Sequence, residues 1–229
     1  VTPTNDNAPL ITSDGGGATA SVSAAENQTA VTTVTSTDVD GGTNVYSIAG
    51  GADAALFTID ASTGVLRFTA APNFEATSDS GGNNVYDVTV QVADGNGGFD
   101  TQAIAITVTN ANESPVIASG AAVSVAENQT AVATVTSADI DGAVPTYTIS
   151  GGADATLFSI DSVTGALTFN TAPNFELPAD AGGNNVYDVT VQVADGNGGF
   201  DAQAIAITVT NVNEAPVITS GSAVSAAEN

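Results

Sequence analysis

"GGNNVYDVTVQVADGNGGFD" spans Gly81–Asp100 and recurs unchanged at Gly182–Asp201. Two properties of this stretch decide the fold. The first is alternation: Tyr86, Val88, Val90 and Val92 share one face, and Asp87, Thr89 and Gln91 share the other. That period of two marks a half-buried antiparallel strand. The second is repetition at an offset of 101 residues, which also links Glu26 to Glu127, Asp38 to Asp139, Glu75 to Glu176 and Asn110 to Asn211. No insertion occurs between Glu26 and Pro216; the one change of length is "SDGGGATA" near the start. A period of this size is too long for a solenoid turn and fits whole domains strung as beads.

The expected organisation follows from that register. Residues 1–8 form an upstream linker, 9–114 a first repeat, 115–215 a second, and 216–229 the opening of a third. "VTPTNDNAP" at the start shows neither a basic nor an apolar leader pattern, and the chain is expected to be an excerpt from a longer protein. Within each repeat the strand signals are dense. "AVTTVTS", "NVYSIAG", "ALFTID", "GVLRFT", "NVYDVTVQVA" and "TQAIAITVT" are short, β-branched and separated by Gly, Asp, Asn or Pro. With a first strand around Ser21–Ala24 the count is about seven, which predicts an all-β protein of tandem seven-stranded Greek-key β-sandwiches with immunoglobulin-like topology. Tyr46, Phe57, Phe68 and Tyr86 run in phase with the inward aliphatics and are assigned to the core; Phe74 and Phe99 lie in turns.

Composition excludes several function classes. The 229 residues include 25 acidic ones, a single basic one (Arg67), and no His, Cys, Met or Trp, for a formal net charge of -24. Nucleic acid and anionic membranes recruit Lys and Arg, so neither is an expected partner. Without Cys there are no disulfides or thiolate metal sites, and without His most zinc and triad chemistry is lost. No apolar run approaches the roughly 18 residues of a membrane span. Paired carboxylates could serve glycoside hydrolysis in principle. Here no His, Cys or Lys is available as base or nucleophile, and Arg67 becomes Thr168 in the second repeat, so the chain is read as non-enzymatic.

The placement of glutamate points instead to a cation. All seven glutamates lie in three turn motifs, "AEN", "PNFE" and "NxNE", and none serves as a generic surface residue on a strand. Asp38 and Asp40 in "TDVDGG" and Asp94 in "VADGNGG" sit in turns of the same kind. Calcium takes six to eight oxygen ligands from carboxylates, amides, backbone carbonyls and water. A D-x-D turn aims alternate carboxylates at one point, and the glycines that follow let the backbone fold around an ion. Magnesium demands stricter geometry and retains more water, which makes it the weaker candidate. In a seven-stranded sandwich the turns alternate between ends, so "AEN" and "PNFE" belong to the trailing end of a repeat and "DVDGG" and "ADGNGG" to the leading end.

These motifs resemble the cadherin repeat, in particular the bacterial cadherin-like repeats of long secreted or surface adhesin-type proteins. The family series P-E-N, D-x-D, L-D-x-E, A-x-D-x-G and D-x-N-D-N-x-P reads here as "AAEN", "DVD", "PNFE", "VADGNG" and "NANESP", and "FTIDASTGVLRF" (Phe57–Phe68) matches F-x-I-D-x-x-T-G-x-L. The resemblance implies calcium held between successive domains. It assigns Glu26 and Glu75 from the first repeat and Asn110, Asn112 and Glu113 from the linker, with backbone carbonyls of Ala111 and Ser114. The second repeat would give Asp139, Asp141 and Asp195. The upstream linker would bring Asn5, Asp6 and Asn7 to Asp38, Asp40 and Asp94, and the downstream one Asn211, Asn213 and Glu214 to Glu127 and Glu176. Two or three ions are expected at the middle junction, and partial sites at both ends. The family's leading Asp is Asn110 here, its central Asp is Glu113, and its D-x-E is Asn73-Phe74-Glu75. The function so implied is a calcium-rigidified extracellular spacer whose partners are neighbouring repeats of the same chain. The alternative is a module that binds polysaccharide or a like domain directly. Strand-swapped adhesion through an N-terminal Trp is not supported, because the chain has no Trp.

Overall fold

The computed structural model describes residues 7–218. The chain divides between Ala111 and Asn112 into two compact units. The first contains β1 (Leu10–Ile11), β2 (Thr19–Ala25), β3 (Ala30–Thr33), β4 (Ser36–Thr37), β5 (Val45–Gly50), β6 (Phe57–Ile59), β7 (Val65–Phe68), β8 (Val85–Ala93) and β9 (Phe99–Thr109). They form a four-stranded sheet in the order β2-β9-β8-β5, a three-stranded sheet β3-β7-β6, and a short pair β1-β4. Pairing is antiparallel except that β2 runs parallel to β9. The nine segments occupy seven strand positions. The first strand is broken by "TSDGGGA" between β1 and β2, and the second by Val34 and Thr35 between β3 and β4.

The second unit repeats this plan. Its strands are β10 (Val116–Ile117), β11 (Ala122–Ala126), β12 (Ala131–Thr134), β13 (Ser137–Ala138), β14 (Thr146–Gly151), β15 (Phe158–Ile160), β16 (Ala166–Phe169), β17 (Val186–Ala194) and β18 (Phe200–Thr210). The sheets are β11-β18-β17-β14, β12-β16-β15 and β10-β13.

Each core lies between its own two sheets and consists of the alternating residues. Tyr86, Val88, Val90 and Val92 from β8 and Ile104, Ile106 and Val108 from β9 are all buried. Phe57 and Phe68 lie 4.6 Å apart between ring centres, and Tyr86 meets Phe68 edge-on at 5.2 Å. Burying one such side chain stabilises the fold by about 2 kcal/mol. Phe74 packs against this core from its edge, whereas Phe99 and Phe200 are exposed. Phase explains the difference: Phe99 is out of step with Ile104 and Ile106, so it stands on the outer face of its strand. A glycine in the turn between the last two strands of each three-stranded sheet packs on the chain that leaves the sheet's first strand. Gly64 has φ +70°, and a Cβ there would collide with the carbonyl of Val34, whose N–H in turn bonds Gly64 O at 2.8 Å. Gly165 and Val135 repeat the arrangement.

Two aspartates per unit are buried as pins. Asp53 accepts hydrogen bonds from Ser80 N (2.7 Å) and Asp87 N (2.8 Å), tying a short turn to the long loop before β8. Asp79 closes that loop on itself by accepting from Asn83 N and Asn84 N, both at 3.0 Å. Burial pushes the Asp79 carboxyl up, but hydrogen bonds from Thr77, Asn83 and Asn84 outweigh it and hold the group below its ordinary 3.8. Asp154 and Asp180 do the same work in the second unit. Asp60 is the turn residue the sequence suggests, accepting from Ser62 N and Thr63 N.

Replacing Asp154 by Ala leaves two backbone donors without their acceptor and is expected to cost about 2–4 kcal/mol. Urea unfolding of Asp154→Ala beside Asp161→Ala checks this; the turn variant, whose carboxylate is solvent-facing, loses much less.

Candidate metal centre

The trailing end of the first unit is organised by Glu26. Just past β2, Glu26 N bonds Thr109 O (3.1 Å) and Asn27 N bonds Pro72 O (3.0 Å), which clips "AEN" between the last strand and "PNFE". Asn27 has φ +61°, a left-handed conformation that Asn tolerates better than most residues. The turn directs the Glu26 side chain inward, where it is 2% exposed. Its two oxygens accept from different segments: Oε1 from Ala111 N at 2.8 Å and Oε2 from Phe74 N at 2.7 Å. The next carboxylate, Glu75, accepts from the Asn110 amide at 2.8 Å through Oε1. Its Oε2 is buried and accepts nothing.

The second unit completes the same pattern. Glu127, 1% exposed, accepts from Val212 N at 2.8 Å and from Phe175 N at 2.9 Å. Those two backbone donors hold its carboxyl below the ordinary 4.5, against the opposing effect of burial. Glu176 accepts from the Asn211 amide at 2.6 Å, and Glu214 from the Asn128 amide at 2.8 Å. One carboxylate oxygen from each of Glu127, Glu176 and Glu214 lies within 4.8 Å of the other two. The unit contains no Lys or Arg to offset them.

The leading ends are built from different turns. In the second unit Glu113 N bonds Asp141 Oδ2 at 2.7 Å, and Asp141 N bonds Asp139 Oδ1 at 2.9 Å. The Asn112 amide bonds Asp195 Oδ2 at 2.6 Å. That amide and the N–H groups of the turn hold the Asp195 carboxyl below 3.8, although burial opposes them. Asp195 Oδ1 accepts from Asn197 N (2.7 Å) and Gly199 N (3.0 Å). The first unit matches: Asn7 donates through both N and Nδ2 to Asp40 Oδ2, Asp40 N bonds Asp38 Oδ1, and Asp94 Oδ1 accepts from Asn96 N and Gly98 N. In both copies the second oxygen of the first aspartate, Asp38 Oδ2 and Asp139 Oδ2, is buried with no hydrogen-bond partner.

The linker ligands named from the sequence therefore divide. Asn110 and Ala111 serve the first unit, and Ala111 engages through its N–H. Asn112 and Glu113 bond within the second, where Ser114 packs beside Gly199. Asn213 is exposed, and Asn5 and Asp6 fall outside the described residues. Sequence reading missed Asn128, whose amide reaches Glu214, and the backbone donors of Asn96, Gly98, Asn197 and Gly199. The one available signal was the invariant Asn after Glu in every "AEN". Gly199 has no room for a side chain: a Cβ would run into Asp195 Oδ2 and lie 2.9 Å from Ser114 Cα.

A donor set made only of carboxylate, amide and backbone oxygens suits a hard cation such as calcium. Buried carboxylate oxygens without a donor fit it further, since an unpaired buried charge is costly. Acid should weaken the second unit. The Glu127 carboxyl is held low in the folded state, so its contribution is complete at neutral pH and is lost as pH falls below 4.5 through the folded value. Thermal melting in chelator checks this: Glu127→Gln is expected to be less stable than the parent at neutral pH and to lose less on acidification.

Residues 5–107 and 112–208 each match the family described as "Bacterial Ig domain". No curated protein sequence matches the chain. Among solved structures, mouse cadherin-23 EC22-24 is 23% identical with a TM-score of 0.51, over 91% of this chain and 66% of that one. Human protocadherin-24 EC1-2 is 18% identical with a TM-score of 0.60, over 90% of this chain and 100% of that one. The protocadherin gammaB7 EC3-6 cis-dimer structure gives 19%, 0.53, 90% and 52%. At such identities the likeness is one of fold. Matched twice over most of its described length, the chain belongs to the bacterial Ig domain family, as two tandem repeats with the cadherin fold.

Proposed function

We propose that the repeats are calcium-binding spacers of a long extracellular, adhesin-type protein, with the ions held where one repeat passes to the next. The observation that carries the reading is the group of Glu127, Glu176 and Glu214 within 4.8 Å, in a unit with no basic residue. Three carboxylates that close repel one another unless a cation lies among them. The unpartnered buried oxygens of Asp38 and Asp139 support the same reading at the leading ends.

In this proposal Glu26, Glu75, Asn110 and the Ala111 carbonyl bind from the first repeat, and Asn112, Glu113, the Ser114 carbonyl, Asp139, Asp141 and Asp195 from the second. The sequence register supports the pairing, because "NANESP" is continuous with the trailing end of one repeat and the leading end of the next. Asparagine amides that now donate to carboxylates can turn their oxygens to a cation instead. Two or three ions bind at the middle junction. Asn7, Asp38, Asp40 and Asp94 at the start, with Asn5 and Asp6, and Glu127, Glu176, Asn211, Asn213 and Glu214 at the end, form half-sites that further repeats complete. Calcium supplies positive charge shared by both repeats, so that swinging at the linker separates ligands from the ion. Binding to the ordered state alone stabilises it by mass action. Extracellular calcium modules work at about 10⁻⁴ to 10⁻³ M, which suits an ion held outside cells. Among the described residues no helix is long and apolar enough to cross a membrane, and the partners of these domains are other repeats of the same chain.

Charge neutralisation tests the assignment. Asp139→Asn keeps an oxygen for Asp141 N but removes the charge. It is expected to raise the melting temperature in chelator and lower it in calcium; a shift of the same sign in both removes Asp139 from the site. Small-angle scattering gives the mechanical test. The parent chain should become longer and stiffer with calcium, and Glu113→Ala should blunt the change. An unchanged maximum dimension on adding calcium contradicts the spacer reading.

A further inference from the structure

Each repeat carries one Asn-Gly pair, Asn96-Gly97 and Asn197-Gly198, and no other asparagine in the chain precedes glycine. We propose that Asn96 and Asn197 are sites of spontaneous conversion to aspartate and isoaspartate, a covalent modification of the leading-end turn. The backbone nitrogen of the glycine attacks the asparagine Cγ and forms the new C–N bond of a succinimide. The bond from Cγ to the amide nitrogen breaks, and ammonia departs with the proton from the attacking nitrogen. Water then opens the ring. Attack at the side-chain carbonyl gives aspartate, and attack at the backbone carbonyl gives isoaspartate. One water is consumed and one ammonia released, with no oxidant or catalyst.

Three features select these two positions. Glycine has no Cβ to obstruct attack by its nitrogen, and Gly97 and Gly198 both sit at φ +111°, a conformation open to glycine and strained for residues with a Cβ. Asn96 and Asn197 are exposed, so water and base reach them. The Asn96 amide is held only by a 3.3 Å bond to Asp94 O, at the long end of hydrogen-bond range. Every other asparagine with a successor is followed by a bulkier residue, and several have amides more tightly held. The Asn84 amide bonds Phe74 O at 2.8 Å, and the Asn112 amide bonds Asp195 at 2.6 Å.

The turn that changes has no slack. Asp195 Oδ1 binds both Asn197 N and Gly199 N, and Gly199 is pressed between Asp195 and Ser114. Isoaspartate adds a methylene to the backbone between those two donors, so both cannot keep their bonds. Either product also places a new carboxylate two residues from Asp195. The conversion does not rest on the calcium reading; its consequence for calcium does.

The test is peptide mapping by mass spectrometry of the full native chain, incubated warm at mildly alkaline pH. Fragmentation must separate aspartate from isoaspartate. Asn96 and Asn197 are expected to lose their amides before Asn110 or Asn112, with isoaspartate present, and the double variant N96Q/N197Q should show no early loss. Earlier conversion elsewhere, or conversion at these positions only after denaturation, overturns the proposal. A parallel incubation in calcium separates the two readings. Conversion slowed by calcium supports both. Equal conversion with and without calcium leaves the modification standing and counts against Asp94 and Asp195 as ligands.

Discussion

Everything at the trailing end of each repeat hangs on one buried carboxylate. Glu26 takes a backbone N–H from "PNFE" on one oxygen and one from the linker on the other, while its own N–H is held by the last strand. Glu127 does the same with Phe175, Val212 and Thr210. Three segments far apart in sequence are thereby fixed around a single negative charge. The charge is tolerated because each oxygen has a backbone donor. Remove it, and the turn that presents the neighbouring glutamates loses its reference point.

Fixing charge in this way creates a second demand. The chain has 25 acidic residues against Arg67, and all seven glutamates, with Asp38, Asp40, Asp94 and their repeats, are gathered in the end-turn motifs. Asparagine amides and backbone N–H groups answer part of that demand, at Glu75, Asp40 and Asp195 among others. Asp38 Oδ2 and Asp139 Oδ2 are left without any donor. Neutral donors spread the cost of clustered charge but do not cancel it. That residual is what a divalent cation would neutralise.

Much of this was legible in the sequence, for identifiable reasons. The strands follow from period two in "VYDVTVQV" and "AIAITV", and the duplication at 101 residues makes each inference twice over. The end-turn carboxylates were legible because glutamate occurs nowhere else. Less visible were residues whose partners are distant backbone groups. Asp53 in "GADA" reads as a polar turn, yet its donors are Ser80 and Asp87. Gln102 lies in phase with Ile104 and is fully buried, held by Gly17 O at 2.9 Å in the loop that only the first repeat has lengthened. Periodicity sees which way a side chain points, but not which N–H is waiting there. The division of "NANESP", with Ala111 bonding to Glu26 and Glu113 to Asp141, was likewise beyond any spacing argument.

The central claim, that the end-turn carboxylates form calcium sites, is tested most directly by isothermal calorimetry of calcium into the chelator-treated two-repeat chain. The account predicts saturable binding of two or three ions with dissociation constants of about 10⁻⁴ to 10⁻³ M. Heats no larger than dilution across that range, in a chain whose fold is intact by circular dichroism, would contradict it.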